Sequence, residues 1–106
     1  ASDVYKRQEL VKKTVNNQNL AKYFTKKYEV ICEKEIFTKD KQIIIPDRIV
    51  VSPSQEHTII EYKTGEKRKE HAEQINKYAK TLRDMGLNTE KSILVYASSS
   101  IEVITL

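Results

Sequence analysis

Two β-branched runs, residues 42–51 and 57–63, constrain the fold more than any other part of the chain. Valine, isoleucine and threonine crowd a helix but pack well on a pleated surface, so both runs are predicted to be strands. The Ser52-Pro53-Ser54 segment between them indicates a short turn, which makes the two strands antiparallel. Because Pro46 has no amide donor, we expect a bulge or a local break in strand pairing at that point.

The rest of the chain alternates between helical and strand periodicity. The other predicted elements are helices at residues 9–26 and 69–85 and strands at residues 28–37, 91–97 and 101–105. The second helix has one apolar stripe, and Gly86 predicts where it ends. A helix between two strands allows a parallel crossover. The order therefore predicts an α/β (α+β) fold with an αβββαβ core and a mixed central sheet.

Length and charge limit the possible classes of protein. A chain of 106 residues supports one domain, placed at residues 9–106, whereas residues 1–8 have no clear period and are interpreted as an unstructured or non-native leader. We expect the domain to be a fragment of a longer chain. The net charge of +4 favours a polyanionic partner, and no apolar run is long enough for a membrane span. The only cysteine, Cys32, cannot form an internal disulfide, which favours a reducing, cytoplasmic location.

Three charged side chains interrupt the β-branched runs. Glu61 and Lys63 are two residues apart and point to the same face of a strand, and Asp47 can reach them if the two runs pair. An unpaired carboxylate is costly to bury within an apolar run, so two acids beside one lysine require an explanation. A hard cation such as Mg²⁺ binds carboxylate oxygens and takes further ligands from water and phosphate. This pattern suits metal-assisted hydrolysis of a phosphodiester.

The ordered motifs resemble those of the PD-(D/E)xK nuclease superfamily, and more closely the RecB-type nuclease domain of UvrD-like helicase-nucleases. The motifs are IPDRIV at residues 45–50, IIEYKTG at 59–65, His71 with Gln74 and Tyr78, and SILVY at 92–96. The resemblance implies a restriction-endonuclease-like core and cleavage of DNA in repair or recombination. It also implies Mg²⁺, with Mn²⁺ as a substitute, and a helicase domain as partner. An iron–sulfur cluster needs four cysteines, which this chain lacks.

The resemblance also implies a role for individual residues. Asp47 and Glu61 would bind the metal together with the carbonyl of Tyr62, and Lys63 would position the attacking water. The remaining candidates are Glu33 as an upstream acid, Gln74 and Tyr78 as groups that hold the DNA strand, and Arg48, Lys67, Arg68 and Lys69 as phosphate contacts.

Other interpretations remain open at this point. Lys63 with one carboxylate could form a buried salt bridge, and the other basic residues could lie on a solvated helix face with ion pairs. The chain has no Gly-rich phosphate loop for hydrolysing ATP. The alternative function is a catalytically inactive, nuclease-like module that binds DNA or docks to a partner protein.

Overall fold

The computed structural model describes residues 12–13, 16–38, 40–97 and 101–106. The predicted leader at residues 1–8 lies outside this range, as does part of the predicted helix at 9–26. After a 3-10 helix at Ala21–Phe24, the elements are β1 (Glu29–Cys32), β2 (Ile36–Phe37), β3 (Ile43–Ile44), β4 (Arg48–Val51), β5 (His57–Thr64), α1 (Lys69–Asp84), β6 (Thr89–Ala97) and β7 (Ile101–Thr105). No helix within these ranges is long and apolar enough to cross a membrane.

Five strands form one mixed sheet in the order β1-β4-β5-β6-β7. The β1–β4, β4–β5 and β6–β7 pairs are antiparallel, whereas β5 and β6 are parallel. Parallel neighbours need a crossover connection, and α1 supplies it. The predicted mixed α/β architecture is confirmed.

Two of the predicted strands are each divided in two. Residues 28–37 were expected to form one strand, but β1 ends at Cys32 because Glu33 has a left-handed φ of 46°, which a continuous strand does not allow. Residues 42–51 are interrupted around Pro46, where a break was expected. Between the two breaks, β2 and β3 pair as a separate antiparallel hairpin that was not predicted, while β1, β4 and β5 remain neighbouring antiparallel strands.

The sheet has a hydrophobic core on each face. On one face, Ile49 and Ile59 pack with the α1 residues Ile75 and Leu82. On the other face, Val50 and Ile60 pack with Leu20 and Tyr23 from the segment around the 3-10 helix. Consecutive strand residues therefore enter opposite cores, as period-2 alternation requires. Burial on both faces explains why β4 and β5 are so rich in β-branched residues.

The predicted N-terminal helix is broken and ends early, whereas α1 ends where it was predicted to. In the N-terminal segment, the Asn17 side chain accepts a hydrogen bond from the Asn19 amide at 2.9 Å, and Thr25 is already extended. Helix formation thus does not continue to residue 26 as predicted. At the end of α1, Gly86 has a φ of 85°, and the Leu87 amide donates to the Leu82 carbonyl at 3.0 Å, which forms a Schellman cap. The predicted stop at Gly86 is confirmed.

Candidate active site

Asp47, just before β4, is hydrogen-bonded both to Glu61 and to the next residue of β5. The amide of Asp47 donates to Oε1 of Glu61 at 2.7 Å, and Oδ2 of Asp47 accepts from the amide of Tyr62 at 2.8 Å. The break after Pro46 makes this possible, because Asp47 lies just before β4 and its amide is free of the sheet ladder. The carboxyl group of Glu61 on β5 and that of Asp47, just before β4, therefore lie close together on the α1-facing side of the sheet.

Glu61 carries its carboxyl group in an unfavourable environment. The residue is only 3% exposed. Burial is the main reason that its pKa rises to about 7. The Asp47 amide and the positive charge of Lys63 act in the opposite direction, whereas the negative charge of Asp47 and a hydrogen bond to its carboxyl group raise the pKa further. The site thus holds more negative charge than its own lysine neutralises, and a cation would relieve that imbalance.

Among the described residues, Lys63 forms no ion pair with Asp47 or Glu61, and its ammonium group contacts α1 instead. Its ammonium group donates to Oε1 of Gln74 at 2.8 Å, and Nε2 of Gln74 donates to the Tyr78 hydroxyl at 3.2 Å. Burial raises the pKa of Tyr78, and the charges of Glu61 and Asp47 raise it further. The Tyr78 hydroxyl therefore lies within the electrostatic field of both carboxylates. All five side chains named for this centre are brought together by β4, β5 and one face of α1.

The donor set fits a hard divalent cation with few protein ligands. Within the described residues, no three side chains of histidine, cysteine, aspartate or glutamate surround a common point. Mg²⁺ is usually bound through one or two carboxylates, keeps several waters and takes substrate phosphates as ligands, so Asp47 and Glu61 suffice. Tyr62, the predicted carbonyl ligand, follows Glu61 in β5 and already contacts Asp47 through its amide. A dedicated cage of protein ligands is not required.

No protein-family model and no curated protein matches this chain. The assignment of a function therefore depends on the geometry of the site and on the motifs in the sequence.

Glu33 reaches this centre through its backbone. Its amide donates to the Asp47 carbonyl at 3.1 Å, while its side chain is exposed. The carboxylate of Glu33 does not complete a three-ligand group with Asp47 and Glu61. What Glu33 contributes in this structure is the left-handed turn that ends β1 next to Asp47.

The predicted phosphate contacts lie in different places. Arg48 points to the other face of the sheet, where its guanidinium carbon lies 4.4 Å from the Phe24 ring centroid and Nη1 donates to the Cys32 sulfur at 3.7 Å. Strand alternation explains this, because Arg48 directly follows Asp47. The other three precede or begin α1: Lys67 is ion-paired with Glu102, Lys69 lies 4.0 Å from Glu73, and Arg68 occupies the N-cap position. The ion pairs of Lys67 and Lys69 agree with the alternative stated above, in which these basic residues lie on a solvated surface.

Tyr96 is a neighbour of the site that sequence reasoning did not single out. It lies opposite Lys63 in the parallel β5–β6 pair, and its hydroxyl is 2.8 Å from Nδ1 of His71. His71 shares a helical stripe with Gln74 and Tyr78, which is a signal visible in the sequence. Tyr96 ends the SILVY motif at 92–96, but the motif assigned it no role beyond that of a buried strand residue.

Proposed function

We propose that this chain is a metal-dependent DNA nuclease domain of the PD-(D/E)xK type that hydrolyses phosphodiester bonds. The observation that supports the proposal is the pairing of Asp47 with Glu61, in which the Asp47 amide donates to Glu61 at 2.7 Å, with Lys63 near enough for its charge to lower the pKa of Glu61. Two adjacent carboxylates with an amine in their vicinity suit metal-assisted attack on a phosphodiester.

Each residue then has a distinct task. Asp47 and Glu61 would hold Mg²⁺ or Mn²⁺, which when bound acts as a Lewis acid and neutralises charge that develops on the phosphate. Lys63 has three N–H donors, one of which forms a hydrogen bond to Oε1 of Gln74. The other two remain to orient the attacking water and to donate to a phosphate oxygen. Gln74 fixes the direction of Lys63, and the Tyr78 hydroxyl stabilises Gln74 in turn.

The wider context belongs to the same proposal. A basic chain with a net charge of +4 is attracted to DNA. We place the activity in cytoplasmic DNA repair or recombination, with a helicase domain of the same parent chain or complex supplying the DNA.

The runner-up is a nuclease-like module that binds DNA or a protein partner and leaves the acids unused. In such a module the acids would hold no cation, and replacing them would leave DNA or partner binding intact. The buried, crowded carboxyl group of Glu61 favours the enzyme, because this arrangement costs stability unless it serves a cation.

The decisive experiment is cleavage of labelled single- and double-stranded DNA by the purified chain. We expect cleavage with Mg²⁺ and none in excess chelator. Asp47→Ala should abolish it, whereas the matched control Glu66→Ala, which removes an exposed acid after β5, should cleave normally. Normal cleavage by Asp47→Ala, or cleavage in chelator, would reject the proposal.

A further inference from the structure

A row of polar side chains runs along α1 from the acids to His71. His71, Gln74 and Tyr78 are three and four residues apart, so they lie on one stripe of the helix. Tyr78 lies in the electrostatic field of the two acids, and Gln74 accepts a hydrogen bond from Lys63. The row ends at His71, roughly 10 Å from Tyr78 at about 1.5 Å of helix rise per residue.

The imidazole ring of His71 is held by Tyr96. Tyr96 is 7% exposed, and its hydroxyl lies 2.8 Å from Nδ1 of His71, its only hydrogen-bond partner among the described residues. A buried hydroxyl needs an acceptor for its proton, because a buried donor without a partner costs stability. The Tyr96 hydroxyl therefore donates to Nδ1, and in the neutral imidazole the proton then lies on Nε2.

The Nε2 atom of His71 is open to a ligand. It has no hydrogen-bond partner in the described part of the chain, and it is not buried, since Nε of Arg48 is the single buried polar side-chain atom without a partner there. A ring that is held at one nitrogen and open at the other presents one N–H in a fixed direction. Tyr96 lies opposite Lys63 in the β5–β6 pair, so this N–H and the Lys63 ammonium group are neighbouring donors on the α1-facing side of the sheet.

We propose that His71 binds, through Nε2, the DNA phosphate next to the one that is attacked, and that Tyr96 positions the ring. This rests on the proposed nuclease function. Phosphate oxygens accept charge-assisted hydrogen bonds, which are about twice as strong as neutral ones. A strand that follows the row along α1 from the acids reaches His71, which gives it a second contact. Such a contact fixes the register of the strand without adding a positive charge.

The first test locates the imidazole proton and needs no cleavage. Nitrogen-15 NMR spectra of the histidine rings, recorded at about pH 8 where histidine is ordinarily neutral, should show the His71 proton on Nε2. The spectrum of His71→Gln assigns the signals. Tyr96→Phe, which removes the hydroxyl and keeps the ring, should shift the Nδ1 resonance of His71. A proton on Nδ1 in the wild type would overturn the inference.

The second test measures DNA affinity by fluorescence anisotropy in chelator at the same pH and two salt concentrations. His71→Ala should weaken binding by roughly 10- to 150-fold, the loss expected for a hydrogen bond to a charged group. The salt slope should not change, because a neutral imidazole releases no counterion. His71→Gln, whose amide nitrogen can take the place of Nε2, should bind nearly as wild type. His71→Asn reaches only as far as Nδ1 and should bind as weakly as His71→Ala.

The role of Tyr96 is tested in the same assay. Tyr96→Phe should bind more weakly than wild type but more tightly than His71→Ala, because the ring is then free to turn. Tyr28→Phe, which removes a hydroxyl on the other face of the sheet, is the matched control and should bind normally. Thermal melts show whether each variant is folded, and the three His71 variants decide the matter if Tyr96→Phe unfolds.

The outcomes separate this inference from the proposed function. If the wild type cleaves DNA and the His71 variants all bind it normally, the inference is overturned and the nuclease assignment stands. If the wild type never cleaves, but His71→Gln keeps an affinity that His71→Ala and His71→Asn lose, the phosphate contact stands and the nuclease assignment fails. If the melting temperature of His71→Ala falls while its DNA affinity does not, the pair with Tyr96 only fastens α1 to the sheet, and the inference is overturned.

Discussion

The amide of Asp47 donates to the Glu61 carboxyl group at 2.7 Å, although the two residues lie on separate strand segments. Because the strand is broken at Pro46, Asp47 serves in two ways. Its amide stabilises Glu61, and its carboxylate supplies a second acid. Glu61 is thus oriented by a fixed backbone donor before any cation binds. A preoriented but crowded acid pair makes specific predictions about pH, metal ions and individual side chains.

The first prediction concerns pH and stability without metal. The pKa of Glu61 rises from 4.5 to about 7 on folding, so between these values the folded state binds more protons than the unfolded state. The free energy of unfolding therefore includes the full contribution of protonated Glu61 below pH 4.5. That contribution is lost as the pH rises through about 7, at up to about 1.4 kcal/mol per pH unit. Glu61→Gln keeps an acceptor for the Asp47 amide and adds a donor toward its carboxylate.

Denaturant unfolding of both proteins in chelator checks this prediction. The two should have similar stability near pH 4.5. At about pH 8, Glu61→Gln should be more stable by up to ~3 kcal/mol. The comparison cancels other titrating groups, such as Glu56, whose pKa is raised by the neighbouring Glu90. Equal stability at the higher pH would show that Glu61 ionises without penalty in the folded protein.

The second prediction concerns the choice of metal. Mg²⁺ and Mn²⁺ should support cleavage and raise the melting temperature above pH 7, because a cation neutralises the paired acids. Ca²⁺ should bind with little turnover, since it prefers bonds of about 2.3–2.6 Å and more ligands, against ~2.0–2.1 Å for Mg²⁺. Thermal scans and cleavage assays with each ion measure both effects. A thermal shift of the same size in Asp47→Ala would place the metal elsewhere.

The third prediction separates catalysis from DNA binding at Lys63. Lys63→Ala should slow single-turnover cleavage by about 100-fold or more, the effect typical of a positioned catalytic side chain. Its DNA affinity should fall only slightly, because one phosphate contact changes the salt slope by roughly one unit. The control Lys77→Ala removes an exposed lysine of α1 and should cleave normally. If Lys63→Ala cleaves normally and only binds less well, Lys63 is an electrostatic anchor and the DNA-binding alternative is preferred.

The fourth prediction concerns the basic residues at the start of α1. Joint replacement of Lys67, Arg68 and Lys69 by alanine should weaken DNA binding and flatten its salt dependence, with cleavage retained at saturating DNA. Binding isotherms at two salt concentrations measure this. Joint replacement of Lys77, Lys80 and Arg83, in the C-terminal half of α1, removes the same three positive charges and is the control for net charge. Unchanged salt dependence would mean that the ion pairs of Lys67 with Glu102 and Lys69 with Glu73 occupy these lysines fully.

The sequence by itself determined the local parts of this protein. Period-2 alternation places Glu61 and Lys63 on one face of β5, Pro46 interrupts the strand before Asp47, and Gly86 ends α1, all of which the structure contains. The same alternation places the side chain of Arg48 on the opposite face of the sheet from Asp47. The family resemblance had instead implied that Arg48 contacts phosphate at the site. These features depend only on backbone geometry and on neighbours in the chain, so a single sequence is sufficient to predict them.

Only the tertiary structure decided which distant groups meet and in what environment. The left-handed Glu33, the separate hairpin and the contact between Lys63 and Gln74 arise from packing between elements far apart in the chain. The raised pKa of Glu61 is also a tertiary property, because its largest cause is burial beneath neighbouring elements. Periodicity fixes the face on which a side chain lies, but distance, burial and dielectric environment are set by long-range contacts that no local pattern records.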